Sequence, residues 1–144
     1  MYSNQLREEG KTRILVVDDN EMVRRGLAEL INHHSDLAVC AEAADAAETL
    51  EMLTRLEVDL AIVDISLVGT DGIELTRQIK SRWPQLPVLI LTMHGEQHYV
   101  RRAFDAGADG YILKADACGN IASAVRLVIA GDRYVSPELV GKLR

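Results

Sequence analysis

Arg13-Ile-Leu-Val-Val-Asp-Asp19 is a short, largely β-branched apolar run that stops at two adjacent carboxylates. A continuous apolar run of this length is typical of a strand buried on both faces of a parallel sheet. From Glu21 to Ile31 the apolar residues recur at helical spacing, and Asn20 stands before them as a candidate N-cap. The stretch therefore predicts a buried strand that leads through an acidic turn into an amphipathic helix.

The same alternation continues along the chain. Further strands are predicted at Leu37–Glu42, Val58–Val63, Pro87–Thr92 and Gly110–Leu113. Further helices are predicted at Asp45–Leu56, Asp71–Arg82, Glu96–Ala106 and Ala117–Ile129. Because parallel strands need crossover connections, these helices must cover both faces of one sheet. We therefore predict a doubly wound α/β domain with a five-stranded parallel sheet, flavodoxin-like in its strand order 2-1-3-4-5, and five helices.

Composition and charge limit the class of protein. The chain has 144 residues, and 16 Lys+Arg against 22 Asp+Glu give a net charge of −6. Nucleic acid binding needs a clustered positive surface, which this acidic composition does not predict for the chain itself. No run approaches the roughly 18 apolar residues of a membrane-spanning helix. Cys40 and Cys118 lie far apart, so we expect free buried thiols in a soluble, cytoplasmic domain.

Three segments are expected along the chain. Residues 1–12 form a polar N-terminal tail, and residues 13–131 form the α/β domain. Residues 132–136 are turn-like, after which Ser136 and Pro137 have the residue types of an N-cap and a first helical position. Residues 132–144 are therefore expected to begin a linker helix toward a further domain that these residues do not include.

Acidic residues end two strands that are neighbours in the predicted order. Asp18 and Asp19 follow the first strand and Asp64 follows the third, so their carboxylates are expected to meet in the crevice where open parallel sheets bind ligands. Two such charges about 4 Å apart repel by about 4 kcal/mol at an effective dielectric near 20. Lys114, after the fifth strand, supplies one compensating charge. The oxygen ligands favour Mg²⁺ as the other.

This arrangement suggests phosphoryl chemistry. An ionised aspartate beside a metal ion can attack phosphorus and form an acyl phosphate. Lys114 and the metal would neutralise the phosphoryl oxygens, and the Thr92 hydroxyl could bond one of them. Each of these residues alone has a plainer explanation, as a helix cap or a solvated surface charge. Their position at the ends of consecutive central strands favours a functional site.

The motifs that carry a family resemblance lie in register from about residue 12 to residue 130. They are Val17-Asp18-Asp19, Asp64 with Asp71-Gly72 downstream, Leu91-Thr92, and Gly110-Tyr-Ile-Leu-Lys114. With these motifs the chain resembles the receiver domain of two-component response regulators. The segment Gly110–Ala117 and the tail Gly131–Glu138 are similar to the LuxR-type (NarL/FixJ) subfamily, in which a helix-turn-helix DNA-binding domain follows the receiver.

The resemblance implies a role for each acidic residue and for the lysine. Asp64 would accept a phosphoryl group from a histidine kinase. Asp19 and Asp64 would bind Mg²⁺ together with the backbone carbonyl of Ser66, while Asp18 would act largely through bound water. Lys114 would pair with the phosphoryl oxygens.

The resemblance also implies how a signal would leave the site. Thr92 and Tyr111 would be the switch pair: the hydroxyl moves toward the phosphoryl group and the ring turns inward behind it. Ser66, His94 and Met93 would tune the rates at the site. Phosphorylation would promote homodimerisation and control DNA binding through the domain that is absent here. The chain would thus be a signalling domain of transcription regulation rather than an enzyme, without a membrane partner.

Two positions depart from the common receiver pattern. Many receivers have proline four residues after the phosphoacceptor, where this chain has Val68. Many also have proline after the lysine, often with a cis peptide bond. Because Ala115 follows Lys114 and a cis bond is costly before a non-proline residue, a trans bond is expected.

Three other functions agree less well with the sequence. A haloacid-dehalogenase-like phosphatase needs a second aspartate two residues after its nucleophile, where this chain has Asn20 after Asp18. A nucleotide-binding module needs a glycine-rich phosphate loop after the first strand, which is missing. A degenerate receiver used only for protein contacts is disfavoured because the key site residues are all present.

Overall fold

The computed structural model describes residues 10–67 and 69–143. Val68 and most of the predicted tail 1–12 lie outside the described residues. The strands are β1 (Thr12–Val17), β2 (Leu37–Ala43), β3 (Leu60–Val63), β4 (Val88–Thr92), β5 (Gly110–Leu113) and β6 (Tyr134–Val135). The α-helices are α1 (Glu21–Asn32), α2 (Ala46–Arg55), α3 (Gly72–Arg82), α4 (Gln97–Asp105) and α5 (Lys114–Ile129), and a 3₁₀ helix spans Pro137–Leu143.

The strands form one parallel sheet in the order β2-β1-β3-β4-β5-β6. The predicted α/β flavodoxin-like architecture, with a parallel sheet and five α-helices in the described part of the chain, is confirmed. The predicted number of five strands is wrong, because the sheet formed by the described residues has six. The additional strand β6 comes from the segment 132–136 that was expected to be a turn, and two residues are too few to show a strand period.

Side chains alternate between the two faces of the sheet. In β1, Leu15 and Val17 belong to the apolar layer shared with α2, α3 and α4, whereas Ile14 and Val16 belong to the layer shared with α1 and α5. This period of two buries both faces of the central strands. The fold class follows from that double burial, since each face needs its own cover of helices.

Three helices begin at the polar residues that the sequence suggested. The Asn20 side chain accepts hydrogen bonds from the backbone N–H groups of Met22 and Val23. The Asp45 and Asp71 side chains each accept one from the backbone N–H of the residue three positions on. These caps satisfy amides that the helix leaves without partners and so fix where α1, α2 and α3 start.

The end of the chain packs onto the domain. The predicted helix after Ser136 is a 3₁₀ helix, and its Leu139 is buried in the same apolar layer as Val100 of α4. The expectation that residues 132–144 lead to a further domain stays a prediction.

Two smaller expectations have mixed outcomes. Cys40 and Cys118 are both free, but only Cys40 is buried, because Cys118 lies on the exposed side of α5. The described residues contain no cis peptide bond, so the bond between Lys114 and Ala115 is trans as expected.

Among the helices of the described residues, none combines the length and apolar character needed to span a bilayer.

Gly72 is the tightest point in the connection between β3 and α3. A Cβ atom there would overlap the carbonyl oxygen of Asp64 and lie 2.7 Å from its carbonyl carbon. We expect Gly72→Ala to lower the free energy of unfolding by about 3 kcal/mol, since backbone atoms cannot move aside as a flexible side chain can. Urea unfolding followed by circular dichroism measures the change.

Gly26→Ala in α1 is the matched control. A Cβ atom at Gly26 meets nothing within 4 Å, so the change should raise the free energy of unfolding by about 1 kcal/mol through helix propensity. Equal effects of the two substitutions would contradict the close approach of α3 to the Asp64 backbone.

Candidate functional site

The acidic residues predicted to meet do so at the carboxyl end of the sheet. Asp18, Asp19 and Asp64 each offer a carboxylate oxygen, and these three atoms lie within 4.8 Å of one another. Asp18 is 1% exposed and Asp64 is 5% exposed, whereas Asp19 is open to solvent. The cluster thus has two buried acids and one exposed acid at its entrance.

Sheet register places these residues together. Val17 and Val63 are partners on β1 and β3, so the residues that follow them, Asp18 and Asp64, are neighbours. Leu113 pairs with Thr92 on β4, and Lys114 comes next. The residues at the ends of four strands therefore face one crevice.

Lys114 neutralises the buried acids directly. Its Nζ atom lies 3.2 Å from Asp64 Oδ2, to which it donates a hydrogen bond, and 3.3 Å from Asp18 Oδ2. Burial lowers the pKa of the Lys114 ammonium, but the charges of Asp64 and Asp18 outweigh that effect and raise it above its ordinary value. Lys114 is therefore a fixed positive charge in this crevice.

Burial, a hydrogen bond and neighbouring charges all act on the pKa of Asp18. Burial raises the pKa of its carboxyl group, the hydrogen bond from the Asn20 amide to Oδ1 at 2.9 Å lowers it, and the negative charge of Asp64 raises it further. The net effect is a raised pKa. Its Oδ2 atom is buried and accepts no hydrogen bond among the described residues. An oxygen in this condition is a good ligand for a cation.

The donor set fits a hard divalent ion. All three clustered ligands are carboxylate oxygens, and the exposed Asp19 leaves a side open where water ligands can remain. Mg²⁺ prefers few carboxylates and several retained waters. The backbone amide of Ser66 donates to Asp64 Oδ1 at 3.3 Å, so Ser66 also lies beside the cluster. These residues can hold Mg²⁺.

Thr92 and Tyr111 are both linked to the loop after β4. Thr92 is fully buried, and its Oγ1 accepts a hydrogen bond from the His94 amide at 3.2 Å. Tyr111 is fully buried, and its hydroxyl donates to the His94 carbonyl oxygen at 2.5 Å. Burial, reinforced by the charge of Glu96, raises the pKa of the Tyr111 hydroxyl well above its usual value, so the group remains a donor. Both residues therefore bond the backbone of His94.

The three residues expected to tune rates are placed differently. Ser66 Oγ lies 3.1 Å from His94 Nε2, so these two side chains form a pair across the loops after β3 and β4. The His94 ring also packs against Tyr99, with 4.6 Å between ring centroids. Met93 is 79% exposed. The structure thus joins Ser66 to His94 and leaves Met93 at the surface.

Sequence reasoning missed one contributor to the site. Arg24 Nη1 donates to the carbonyl oxygen of Asp18 at 2.6 Å, and its Nε lies 3.2 Å from Glu42 Oε1. The Arg24 side chain is only 16% exposed, whereas that of Arg25 is 70% exposed. Both arginines lie on the polar part of α1, and no local pattern distinguishes the one that bonds the Asp18 carbonyl oxygen.

Comparisons with known proteins agree with this geometry. The family model for the response regulator receiver domain matches residues 14–126. The response regulator protein VraR of Staphylococcus aureus (strain Mu3) is 41% identical over 132 residues, which cover 92% of this chain and 63% of VraR. The chain therefore spans less than two thirds of the length of that curated relative.

Solved structures give the same result. A two-component response regulator of the LuxR family from Aurantimonas sp. SI85-9A1 is 36% identical and superposes with a TM-score of 0.89, covering 92% of this chain and 95% of that one. The isolated REC domain of RcsB from Salmonella enterica serovar Typhimurium, in the presence of phosphomimetic BeF₃⁻, has a TM-score of 0.86 at 23% identity. It covers 93% of this chain and 99% of its own, and it supports the fold alone.

Replacing Lys114 tests whether the acidic cluster holds a cation. We expect Lys114→Met to raise the affinity for Mg²⁺ about tenfold, or about 1.4 kcal/mol, because an ammonium that competes for both buried carboxylates is removed. Isothermal titration calorimetry measures the dissociation constant.

Lys80→Met is the control for this test. Lys80 Nζ pairs with Asp109 Oδ2 at 3.0 Å, in an ion pair that includes none of the clustered acids. Its removal should leave Mg²⁺ affinity unchanged. The same affinity in the wild type, Lys114→Met and Lys80→Met would show that Lys114 does not compete with a cation at this cluster.

Proposed function

The chain belongs to the family of response regulator receiver domains and is of the LuxR type, and from this premise we propose that Asp64 accepts a phosphoryl group from a histidine kinase in a Mg²⁺-dependent reaction. The observation that carries the proposal is the close approach of Lys114 Nζ to both Asp64 and Asp18, with Asp19 in the same cluster. An Asp64 that acted only as a general base would not need this arrangement. Phosphoryl transfer does, because positive charge must neutralise the phosphoryl oxygens in the transition state.

The chemistry proposed for Asp64 is a direct displacement. A carboxylate oxygen of Asp64 forms a bond to phosphorus as the bond from phosphorus to the histidine nitrogen of the kinase breaks, and the imidazole leaves. Lys114 donates to Asp64 Oδ2 before the reaction. It is proposed to pair with a phosphoryl oxygen afterwards. Mg²⁺, held by Asp19, Asp64 and the Ser66 carbonyl, with Asp18 acting through water, would supply further charge neutralisation.

The same site would convert phosphorylation into a conformational signal. The Thr92 hydroxyl is proposed to bond a phosphoryl oxygen. This would shift the loop after β4, because the same hydroxyl accepts a hydrogen bond from the His94 amide of that loop. Tyr111 is bonded to the carbonyl of that same residue, His94, so ring and loop would respond together. Moving a population from 1:99 to 99:1 requires about 5.5 kcal/mol of differential interaction, which these contacts must supply.

The lifetime of the phosphorylated state is proposed to depend on Ser66, His94 and Met93. Ser66 bonds His94 through its hydroxyl and Asp64 through its backbone amide, so this pair lies beside the phosphoacceptor. Met93, which follows Thr92 in the chain, has an exposed side chain. Side chains at these places would govern how water reaches the acyl phosphate.

The output is proposed to be dimerisation that controls a DNA-binding domain beyond these residues, in a cytoplasmic two-component system of transcription regulation. The face built by α4, β5 and α5, or that of α1 with α5, would form the dimer. The family is one of signalling domains, so no separate substrate is expected to be turned over. The phosphatase alternative is disfavoured further because Asn20, where that chemistry needs an acid, caps α1.

Phosphorylation of Asp64 is the first test. Incubation with acetyl phosphate and Mg²⁺ should increase the intact mass by one phosphoryl group, and Asp64→Asn should abolish the increase because an amide cannot form the acyl phosphate. Asp59→Asn, which removes an acid just before the opposite end of β3, should be phosphorylated as the wild type is. A full response of Asp64→Asn would refute the assignment, and no response of the wild type would favour a receiver used only for contacts.

Dimerisation is the second test. Beryllofluoride with Mg²⁺ mimics the phosphoryl group, so its addition should shift the sedimentation coefficient of the chain from monomer toward dimer, with an affinity at least tenfold tighter than without it, or about 1.4 kcal/mol. Asp64→Asn should sediment identically with and without the ligand. An unchanged distribution for the beryllofluoride-bound wild type would contradict the proposed output.

A further inference from the structure

Asp116 ties the end of the chain to the start of α5. Its Oδ2 atom accepts hydrogen bonds from the Tyr134 hydroxyl at 2.7 Å and from the Ser136 hydroxyl at 2.8 Å, and its other oxygen accepts from Asn120. Burial raises the pKa of Asp116, but these hydrogen bonds lower it more, so the acceptor stays charged. We refer to Asp116, Tyr134 and Ser136 as the Asp116 bracket.

The bracket also holds the last residues of β5. Ser136 is fully buried, its Oγ accepts from the Leu113 amide at 2.9 Å, and its own amide donates to the Tyr111 carbonyl oxygen at 3.0 Å. One buried serine therefore bonds the backbone on both sides of Ile112. Lys114 is the next residue after the Leu113 amide that the serine holds.

The start of α5 needs such an external anchor. The residue before the helix is Leu113, which cannot cap it, and no side-chain hydrogen bond caps this helix. An uncapped helix start frays more readily than a capped one. Leu139, buried in the same apolar layer as Tyr111, holds the tail in place a few residues further on.

We propose that the Asp116 bracket positions Lys114 for phosphoryl transfer, so that Asp116, Tyr134 and Ser136 are positioning residues of the phosphoacceptor site. The inference rests on the proposed function of Asp64. Lys114 reaches two carboxylates at once, at 3.2 and 3.3 Å, and this double contact depends on where its backbone is held. A misplacement of about 1 Å in such a group can cost on the order of a hundredfold in rate.

Kinetics of the bracket variants test the proposal. Phosphorylation of Asp64 is followed against acetyl phosphate concentration, with saturating Mg²⁺, for the wild type, Ser136→Ala, Tyr134→Phe and the control Ser123→Ala on the exposed side of α5. We expect the maximal rate to fall about tenfold for Ser136→Ala and about threefold for Tyr134→Phe, with the half-saturating concentration unchanged. Ser123→Ala should match the wild type.

Lysine spectroscopy separates positioning from stability. The chain has only four lysines, Lys11, Lys80, Lys114 and Lys142, so ¹³Cε-labelled lysine gives few signals, and Lys114→Arg assigns the one of interest. Ser136→Ala and Tyr134→Phe should move the Lys114 signal and leave that of Lys80 unchanged.

Opposite results would overturn the proposal. A lowered melting temperature with an unchanged maximal rate and an unchanged Lys114 signal would mean that the bracket only stabilises the fold. If Ser136→Ala does not fold, Tyr134→Phe, which removes one hydroxyl and keeps the ring, decides alone. If the wild type is never phosphorylated, the proposed function fails, and the Lys114 signal still decides whether the bracket positions the lysine.

Discussion

The arrangement of the site depends on the repulsion between two neighbouring buried carboxylates, Asp18 and Asp64. Asp18 and Asp64 are nearly inaccessible to water, and their mutual repulsion is not screened there as it would be at the surface. Lys114 meets both at once, and Asp19 adds a ligand at the entrance. The sheet register, the start of α5 and the backbone contact of Arg24 all serve to hold this set of charges in one place.

Local chemistry made most of this predictable. Three features depend on neighbouring residues, and the structure agrees with them: the acidic turn after the first apolar run, the helix starts near Asn20, Asp45 and Asp71, and the alternation of strands and helices. The meeting of Asp18 with Asp64 then followed from parallel topology, because neighbouring strands bring their carboxyl ends together. Because this fold repeats a short strand–helix unit, its architecture can be predicted from short stretches of sequence.

Polar contacts between residues far apart in the sequence could not be predicted. Asp116 and Ser136 are 20 residues apart, and neither belongs to an apolar period that would place it. The helix α5 was expected to start at Ala117 but starts at Lys114. The earlier start was missed because Lys114, Ala115 and Asp116 are not buried and so show no apolar period. Strand β6 was missed because two residues are too few to show a strand period, and their pairing with Gly110 and Tyr111 of β5 spans more than 20 residues of sequence.

The sixth strand bears on how proteins of this kind are divided into fragments. A fragment cut after Gly131 would leave the outer side of β5 as a free sheet edge, and unpaired edges of this type invite association with other chains. It would also uncover the apolar surface on which Leu139 rests. Aggregation of such a fragment would reflect the cut and carry no information about the physiological assembly of the protein.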